Sequence, residues 1–236
     1  MSGHIFITGD CHGDYDISKL TSKKWPQGKS LDKDDYLIVA GDFGLIWSNN
    51  ENDEFEKYLI NWYTNEKKWT TLFVDGNHEN HRRLNELETT RMFDGVVGVV
   101  NDSIYHLKRG EVYTIHGSKF FTMGGASSHD REIRIIDVDW WEAEQPNYQE
   151  CSYGIENLNK HNWKVDYVVT HTMPNTKMSL FGFDQKYKGL KECSISKYLN
   201  IIVENLDFKK WYFGHFHADV DRENFRLIYN DVIQIQ

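Results

Sequence analysis

The stretch IFITGDCHG, residues 5–13, joins a short apolar run to an aspartate and a histidine. Successive side chains of an extended strand point to opposite sides, so Asp10 and His12 fall on one side and Cys11 on the other. An acid and an imidazole that converge on one point are a metal-binding pair. A turn after an edge strand would use the same residues, so the rest of the chain has to decide between the two interpretations.

Four further apolar runs, at 36–39, 72–74, 167–169 and 211–213, end in the same kind of group. They are apolar throughout, which is typical of strands buried on both faces. The groups that follow them are Gly41-Asp42, Gly76-Asn77-His78-Glu79, His171, and Gly214-His215-Phe216-His217. Ligand sites form at the carboxyl ends of strands in α/β sheets. One such group is most simply a turn, but five in order along the chain indicate a functional site.

Helical segments separate several of these runs. Apolar residues at helical spacing predict one helix across 51–67, with Glu56, Lys57 and Lys67 facing solvent, and another from Ile195 to Leu206. The region 96–124 is typical of short strands joined by tight turns. With no Gly/Ser/Pro-rich linker, the sequence predicts a single α/β domain over residues 1–236 with mixed sheets.

The composition limits the kinds of partner. A formal charge of −9 over 236 residues argues against binding duplex nucleic acid on a basic face, but it leaves phosphorylated small molecules open, since bound cations can reverse the local field. The three cysteines, Cys11, Cys151 and Cys193, have no paired spacing, which excludes a disulfide framework or CxxC zinc site. Without a signal peptide or an apolar run of membrane-spanning length, we expect a cytoplasmic protein with no membrane partner.

Seven donors follow the strands, too many for one ion with an open position. They are Asp10, His12, Asp42, Asn77, His171, His215 and His217. A set of seven donor residues suits two divalent ions that share one bridging carboxylate. Imidazole and carboxylate ligands without thiolate favour Mn, Fe, Co, Ni or Zn over Ca or Mg.

The complete ordered pattern, from residue 10 to 217, resembles the signature of the calcineurin-like metallophosphoesterases, and the stretch 124–146 resembles a loop of their small bacterial and phage-type members. The resemblance implies a four-layer α/β/β/α sandwich with two mixed sheets, and Mn as the favoured metal. It also implies the ligand sets: Asp10, His12 and His217 on one ion, Asn77, His171 and His215 on the other, and Asp42 between them. By the same resemblance, His78 is the catalytic histidine, a general acid for attack by a hydroxide that bridges the ions.

The sequence departs from the protein serine/threonine phosphatases of this superfamily. Leu45 stands where their second motif has another aspartate, and Asp75 where they have an arginine before Gly-Asn-His-Glu. The segment 124–146 offers substitutes: Arg131 and Arg134 as phosphate ligands, His129 as a proton carrier, and Trp140-Trp141 as a stacking surface. Pairing of the arginines with local acids and packing of the tryptophans on a core are equally compatible with this segment.

The sequence therefore predicts a two-metal phosphoesterase acting on a small phosphorylated substrate, such as a nucleotide, with diesters cleaved at least as well as monoesters. A nuclease for single strands, a protein serine/threonine phosphatase and a metal-bound scaffold without turnover are the alternatives. The oligomeric state has no sequence signal.

Overall fold

The computed structural model describes residues 3–183 and 194–236. Two β-sheets form its centre. The first has seven strands in the order β13-β1-β2-β3-β6-β5-β4, and the second has six in the order β11-β12-β10-β9-β8-β7. Each sheet contains both parallel and antiparallel pairs, which confirms the prediction of mixed sheets.

The strands are short and the helices few. The strands are β1 Ile5–Thr8, β2 Tyr36–Ala40, β3 Thr70–Val74, β4 Thr89–Met92, β5 Gly95–Asn101, β6 Ile104–Leu107, β7 Val112–Ile115, β8 Ser118–Met123, β9 Tyr167–Thr170, β10 Lys210–Phe213, β11 Val220–Arg222, β12 Phe225–Leu227 and β13 Val232–Gln234. The α-helices are α1 Glu54–Asn61, α2 His81–Glu86, α3 Tyr148–Lys160 and α4 Ser194–Asn205. No helix among residues 3–183 and 194–236 is long and apolar enough to cross a bilayer.

Within the described residues, three apolar clusters hold four layers together. The central cluster joins the inner faces of the two sheets, for example Ile7 of β1 with Phe120 of β8. Phe6, the preceding residue of β1, faces outward and packs in a second cluster with Leu59 of α1. On the far side, Val168 of β9 packs with residues of α3 and α4. The sandwich of two sheets flanked by helices is therefore confirmed.

Strand direction positions the site. β1, β2 and β3 run parallel in the first sheet, and β9 and β10 run parallel in the second. Their carboxyl ends meet at one edge of the sandwich, as parallel strands require. All five strands predicted from the apolar runs are present.

The predicted helix across 51–67 is wrong in its bounds and in part of its solvent face, since Lys57 is exposed as expected but Glu56 is not. Asp53 caps α1, whose helix proper covers only Glu54–Asn61 before a wider turn at 62–66. Glu56, expected in solvent, is buried: it accepts hydrogen bonds from the Trp47 and Ser48 amides and pairs with Arg83 at 2.6 Å. The helix places this acid inward because an arginine and two loop amides satisfy it.

Candidate metal centre and its cleft

Loops at the five strand ends bring all seven predicted metal ligands together. Six of them, the acids and histidines, fall into groups in which all ligand atoms lie within 4.8 Å of one another. The seventh, Asn77, contacts His171 through its side-chain oxygen. One group contains Asp10, His12 and His217, and another contains Asp42, His171 and His215. The first group is the ligand set that the resemblance implies for one ion. The second group shares His171 and His215 with the other set, and a third group, His12, Asp42 and His78, connects the first two.

In the first group the carboxylate of Asp10 is fully buried. His217 Nε2 lies 3.2 Å from Asp10 Oδ2. His12 Nδ1 donates to Asp16 Oδ2 at 2.7 Å, which leaves Nε2 directed toward Asp42 at 3.4 Å. A carboxylate on the far nitrogen of a histidine fixes its tautomer and orientation, as in carboxylate–histidine–metal triads.

Tyr229 connects the two histidines of this group. Its hydroxyl donates to Asp16 Oδ1 at 2.7 Å, and its ring stacks on His217 with centroids 4.7 Å apart. Asp219 accepts hydrogen bonds from the backbone amides of residues 229, 230 and 231, which fixes the turn that carries Tyr229. His12 and His217 thus share one support.

The second group is built around His171, which is fully buried. His171 Nε2 lies 3.1 Å from Asp42 Oδ2 and 3.3 Å from Asn77 Oδ1, while Nδ1 donates to the Ala40 carbonyl at 2.9 Å. The Asn77 amide oxygen therefore faces the same point as the Asp42 carboxylate. His215 completes the group, and its ring centroid lies 5.0 Å from that of His171.

Ser128 and Glu144 fix the orientation of the Asn77 side chain. Its Nδ2 donates to Ser128 Oγ at 3.2 Å, and Ser128 Oγ donates to Glu144 Oε2 at 2.6 Å. Glu144 Oε1 also accepts from the Ser128 amide at 2.9 Å. All three residues are buried. This chain of hydrogen bonds holds the amide nitrogen away from the centre and its oxygen toward it.

Asp42 lies between the two groups. Its Oδ1 accepts from the amides of Asn77 and His78 at 2.7 and 2.8 Å, while Oδ2 faces His12 and His171. Glu79 ties the same loops together through its two oxygens, which accept from the Gly44 and Gly76 amides. Burial and the charge of Asp42 raise the pKa of Glu79 to about 8.

The backbone is strained where these ligands sit. His12, Asp42, His215 and His217 all have a left-handed φ, between 44° and 70°. Such a conformation costs a non-glycine residue about 1–3 kcal/mol and persists where surrounding structure enforces it, often at functional sites. Four of the seven predicted ligands carry this strain.

Two of the glycines that precede ligands are required by close approach. A Cβ at Gly76 would lie 2.1 Å from Asp42 Oδ1, and a Cβ at Gly214 would lie 2.1 Å from Asp10 Oδ1. In each case the carboxylate of a predicted ligand on one loop packs against the bare backbone of another loop. The Gly-before-ligand pattern thus reflects how closely the loops converge.

The electrostatics are those of a cation site. Burial lowers the pKa of His171, but the adjacent Asp42 carboxylate outweighs burial and raises it to about 10. His12 behaves in the same way: burial lowers its pKa, and Asp42 and Asp10 raise it to about 9. Burial, assisted by the charge of His171, lowers the pKa of His215 to about 3. The buried carboxylates therefore stabilise positive charge beside them. Protons on His12 and His171 can supply this charge, and bound divalent ions would take the place of those protons.

The donor set fits transition-metal ions. His215 Nε2 is buried and has no hydrogen-bond partner among the described residues, although it belongs to a group with Asp42 and His171. Such an atom costs free energy unless something binds it. Imidazole, carboxylate and amide donors without a cysteine suit Mn, Fe, Co, Ni or Zn.

His78 lies beside the centre on the floor of a cleft of about 990 Å³. Its ring centroid lies 5.3 Å from that of His12, and Arg134 Nη2 approaches its Nε2 at 3.5 Å. Burial lowers the pKa of His78, and Arg134 lowers it further against the opposing charge of Asp42. His78 is thus held within reach of both the predicted ligands and the cleft.

Of the predicted substrate residues, the structure brings two to the centre. Arg134 lines the cleft, held by Asp130 at 2.7 Å and by the Asp139 carbonyl. The ring of His129 stacks on that of His215 with centroids 5.4 Å apart. Arg131 is exposed and lies outside the cleft lining. Trp141 is buried and lines the cleft, whereas Trp140 does not.

Leu45 and Asp75, the two positions at which the sequence departs from the protein phosphatases, both lie outside the cleft lining. Asp75 points away from the cleft and forms a buried ion pair with Arg109, whose Nη2 lies 2.6 Å from its Oδ2. His106 contacts the other Asp75 oxygen at 3.0 Å. Leu45 is buried in the apolar cluster under α1. Neither position presents a charged group to the predicted ligands.

Sequence reasoning missed the residues that support the ligands. Asp16, Tyr229, Ser128 and Glu144 are such residues, and Lys19 is another. The buried Lys19 ammonium donates to the carbonyls of Gly9, Asp10 and Tyr229 and so joins the first loop to the last. Only Asp16, four residues after His12, carried a spacing signal in the sequence. The others come from more distant parts of the chain.

Comparison with known proteins points to one family. The family model for calcineurin-like phosphoesterases matches residues 3–219. Lariat debranching enzymes from Danio rerio and Homo sapiens are 25% and 24% identical to the chain over 244 and 251 residues. Each alignment covers 91% of this chain but only 40% or 42% of the relative, so the chain spans about two fifths of the length of these proteins.

A solved structure of a protein described as a putative 5′-nucleotidase from Staphylococcus aureus has a similar fold. The TM-score is 0.51 at 15% sequence identity, and the match covers 95% of this chain and 48% of the other. At this identity the likeness concerns the fold alone.

Proposed function

The chain belongs to the calcineurin-like phosphoesterases, a family of phosphoester hydrolases, and on that premise we propose that it is a two-metal phosphodiesterase for small phosphate diesters. One observation carries the proposal: two groups of ligand atoms meet where Asp42 of one contacts His12 of the other, and His12 and His217 line an open cleft together with His78.

Asp10, His12 and His217 would hold one ion and Asn77, His171 and His215 the other, with the Asp42 carboxylate shared. Two such ions, when bound, offset the negative charge of a phosphate and lower the pKa of water. The protein contributes the fixed geometry. Asp16 and Tyr229 orient the first set, Ser128 and Glu144 orient Asn77, and Glu79 fixes the distance between two of the loops.

His78 is the proposed general acid. It follows the ligand Asn77, lines the cleft and faces His12, so it can give a proton to the oxygen that leaves the phosphate. Arg134 stands beside it and is placed to contact a non-bridging phosphate oxygen.

The charges favour a diester. A monoester has three free oxygens and two negative charges, and its hydrolysis benefits from several arginines. Arg134 is the single arginine or lysine among the described residues that line this cleft. The nearby Arg109 lies outside the lining and forms an ion pair with Asp75. A diester has one negative charge, which two metal ions and one arginine can match.

The test compares an aryl monoester with an aryl diester bearing the same leaving group, with Mn-, Ni- and Zn-loaded protein. We expect kcat/KM for the diester to equal or exceed that for the monoester. Arg134→Ala should lower both, while Arg131→Ala, on the same segment but outside the cleft, should change neither. A monoester preference of about a hundredfold that vanishes in Arg134→Ala would instead identify a phosphomonoesterase.

A further inference from the structure

The cleft extends well beyond the predicted metal ligands. Its floor is formed by His12, His78 and His217, and its volume of about 990 Å³ exceeds what a phosphate group needs. Whatever is esterified to the phosphate must therefore lie against the remaining walls. Their chemistry determines which substituent fits.

The walls are largely aromatic. Tyr15, Trp47, Phe55, Trp141 and Tyr229 all line the cleft. Tyr15 is 87% exposed and Phe55 46% exposed, an unusual degree of exposure for large apolar rings. Exposed aromatic surface next to a reaction centre is characteristic of a ligand-binding site.

Two of these rings are available as stacking surfaces. Trp141 is almost completely buried, and one face of Tyr229 is covered by His217. Trp47 is half-buried. Its backbone amide donates to Glu56, and the ring of Phe55 packs edge-on against its ring, with the ring centroids 6.1 Å apart. Tyr15 lies on the loop that follows His12. A partly buried ring and an exposed ring thus line the same cavity.

The charge of the walls restricts the rest of the substrate. Asp14, Asp16 and Asp139 line the cleft, against the single cation Arg134 among its described lysines and arginines. Carboxylates repel further phosphates, so a polynucleotide or a triphosphate is disfavoured. The part of the substrate away from the reacting phosphate should be flat and uncharged.

We propose that the cleft binds an unpaired nucleobase, stacked on Trp47 with Tyr15 as the second contact, in a substrate whose one negative charge is the diester phosphate. This proposal rests on the proposed phosphodiesterase function and names its substrate class. Stacking of a base on an aromatic side chain needs no base-specific hydrogen bond, so several bases should be accepted.

The test uses three diesters with the same p-nitrophenyl leaving group, in which the second substituent is a 5′-nucleoside, a methyl or a hexyl group. With metal-loaded protein, KM for the nucleoside ester should be about tenfold or more below that for the methyl ester. Trp47→Ala should remove this advantage with kcat changed less than about twofold, and Trp47→Phe should keep most of it.

Two variants separate binding from misfolding. Tyr15→Ala changes a side chain that is almost wholly exposed, so it should raise KM for the nucleoside ester without altering the melting temperature. Tyr58→Ala removes a ring of α1 that is 60% exposed but lies outside the cleft lining, so it should have no effect on KM. Calorimetry provides a readout without turnover: a nucleoside 5′-monophosphate should bind about tenfold more tightly than methyl phosphate, and Trp47→Ala should abolish the difference.

Equal KM values for the nucleoside and methyl esters would overturn the inference while leaving the phosphodiesterase intact. A preference for the hexyl ester would overturn it too and would assign the cleft to an alkyl chain. Failure to hydrolyse any of the three diesters with any of the metals would instead contradict the proposed function itself.

Discussion

Replacing Asp16 with asparagine should weaken one metal site selectively. The Asp16 carboxylate accepts two hydrogen bonds of 2.7 Å, one from His12 Nδ1 and one from the Tyr229 hydroxyl. The amide of an asparagine could accept only one of them, so His12 would lose its fixed tautomer or Tyr229 its anchor. Loss of such a support typically lowers metal affinity about 10- to 100-fold, or about 1.4–2.7 kcal/mol.

The assay is titration of the metal-free protein with Mn²⁺ in competition with a chelator, which resolves the affinities of the two ions. In Asp16→Asn we expect the ion at Asp10, His12 and His217 to bind about 10- to 100-fold more weakly, with the other ion far less affected. Tyr229→Phe keeps the stacked ring and loses one hydrogen bond, so its effect should be smaller, about fivefold.

Asp14→Asn is the matched control, because it makes the same change of charge two residues away at an exposed position. It should leave both affinities near those of the unaltered protein. If Asp16→Asn and Asp14→Asn bound both ions equally well, Asp16 would be an ordinary surface acid without a role in supporting His12.

Three further variants address other parts of the centre. Asp42→Asn should weaken both ions and abolish turnover, because both ligand sets contact this carboxylate; elemental analysis with two ions retained would contradict its shared role. His78→Ala should keep both ions but lose about 10²–10⁴-fold in kcat on a poor leaving group, and much less on a good one; equal losses on both would remove it as the general acid. Ser128→Ala should weaken the ion at Asn77 about tenfold by freeing the amide, whereas the neighbouring Ser127→Ala should not, and equal titration curves for the two would exclude the Ser128 support.

The sequence predicted the strands that form the centre and the residues that converge there. Five apolar runs end in acids, amides or histidines. Because parallel strands bring their carboxyl ends to one edge of a sheet, the residues that follow these runs are expected to lie together at that edge. Glycines before Asp42, Asn77 and His215 carried the further information that the loops pack closely.

What the sequence could not predict depends on contacts between distant segments. Ser128 lies 51 positions from Asn77, and Tyr229 lies 213 positions from Asp16, so no local pattern marks either hydrogen bond. Glu56 was placed in solvent for the same reason, since helical periodicity cannot reveal that Arg83 lies beside it. Arg131 and Arg134 are equally plausible from the sequence, and only the path of the 124–146 segment separates them.

Metal stoichiometry shows directly whether the seven predicted ligands hold two ions. Purified protein is exposed to excess Mn²⁺, desalted and analysed for metal, with turnover of an aryl diester measured on the same sample. We expect about two ions per chain, with activity that rises as the second ion binds. Full activity with no more than one tightly bound ion per chain would contradict it.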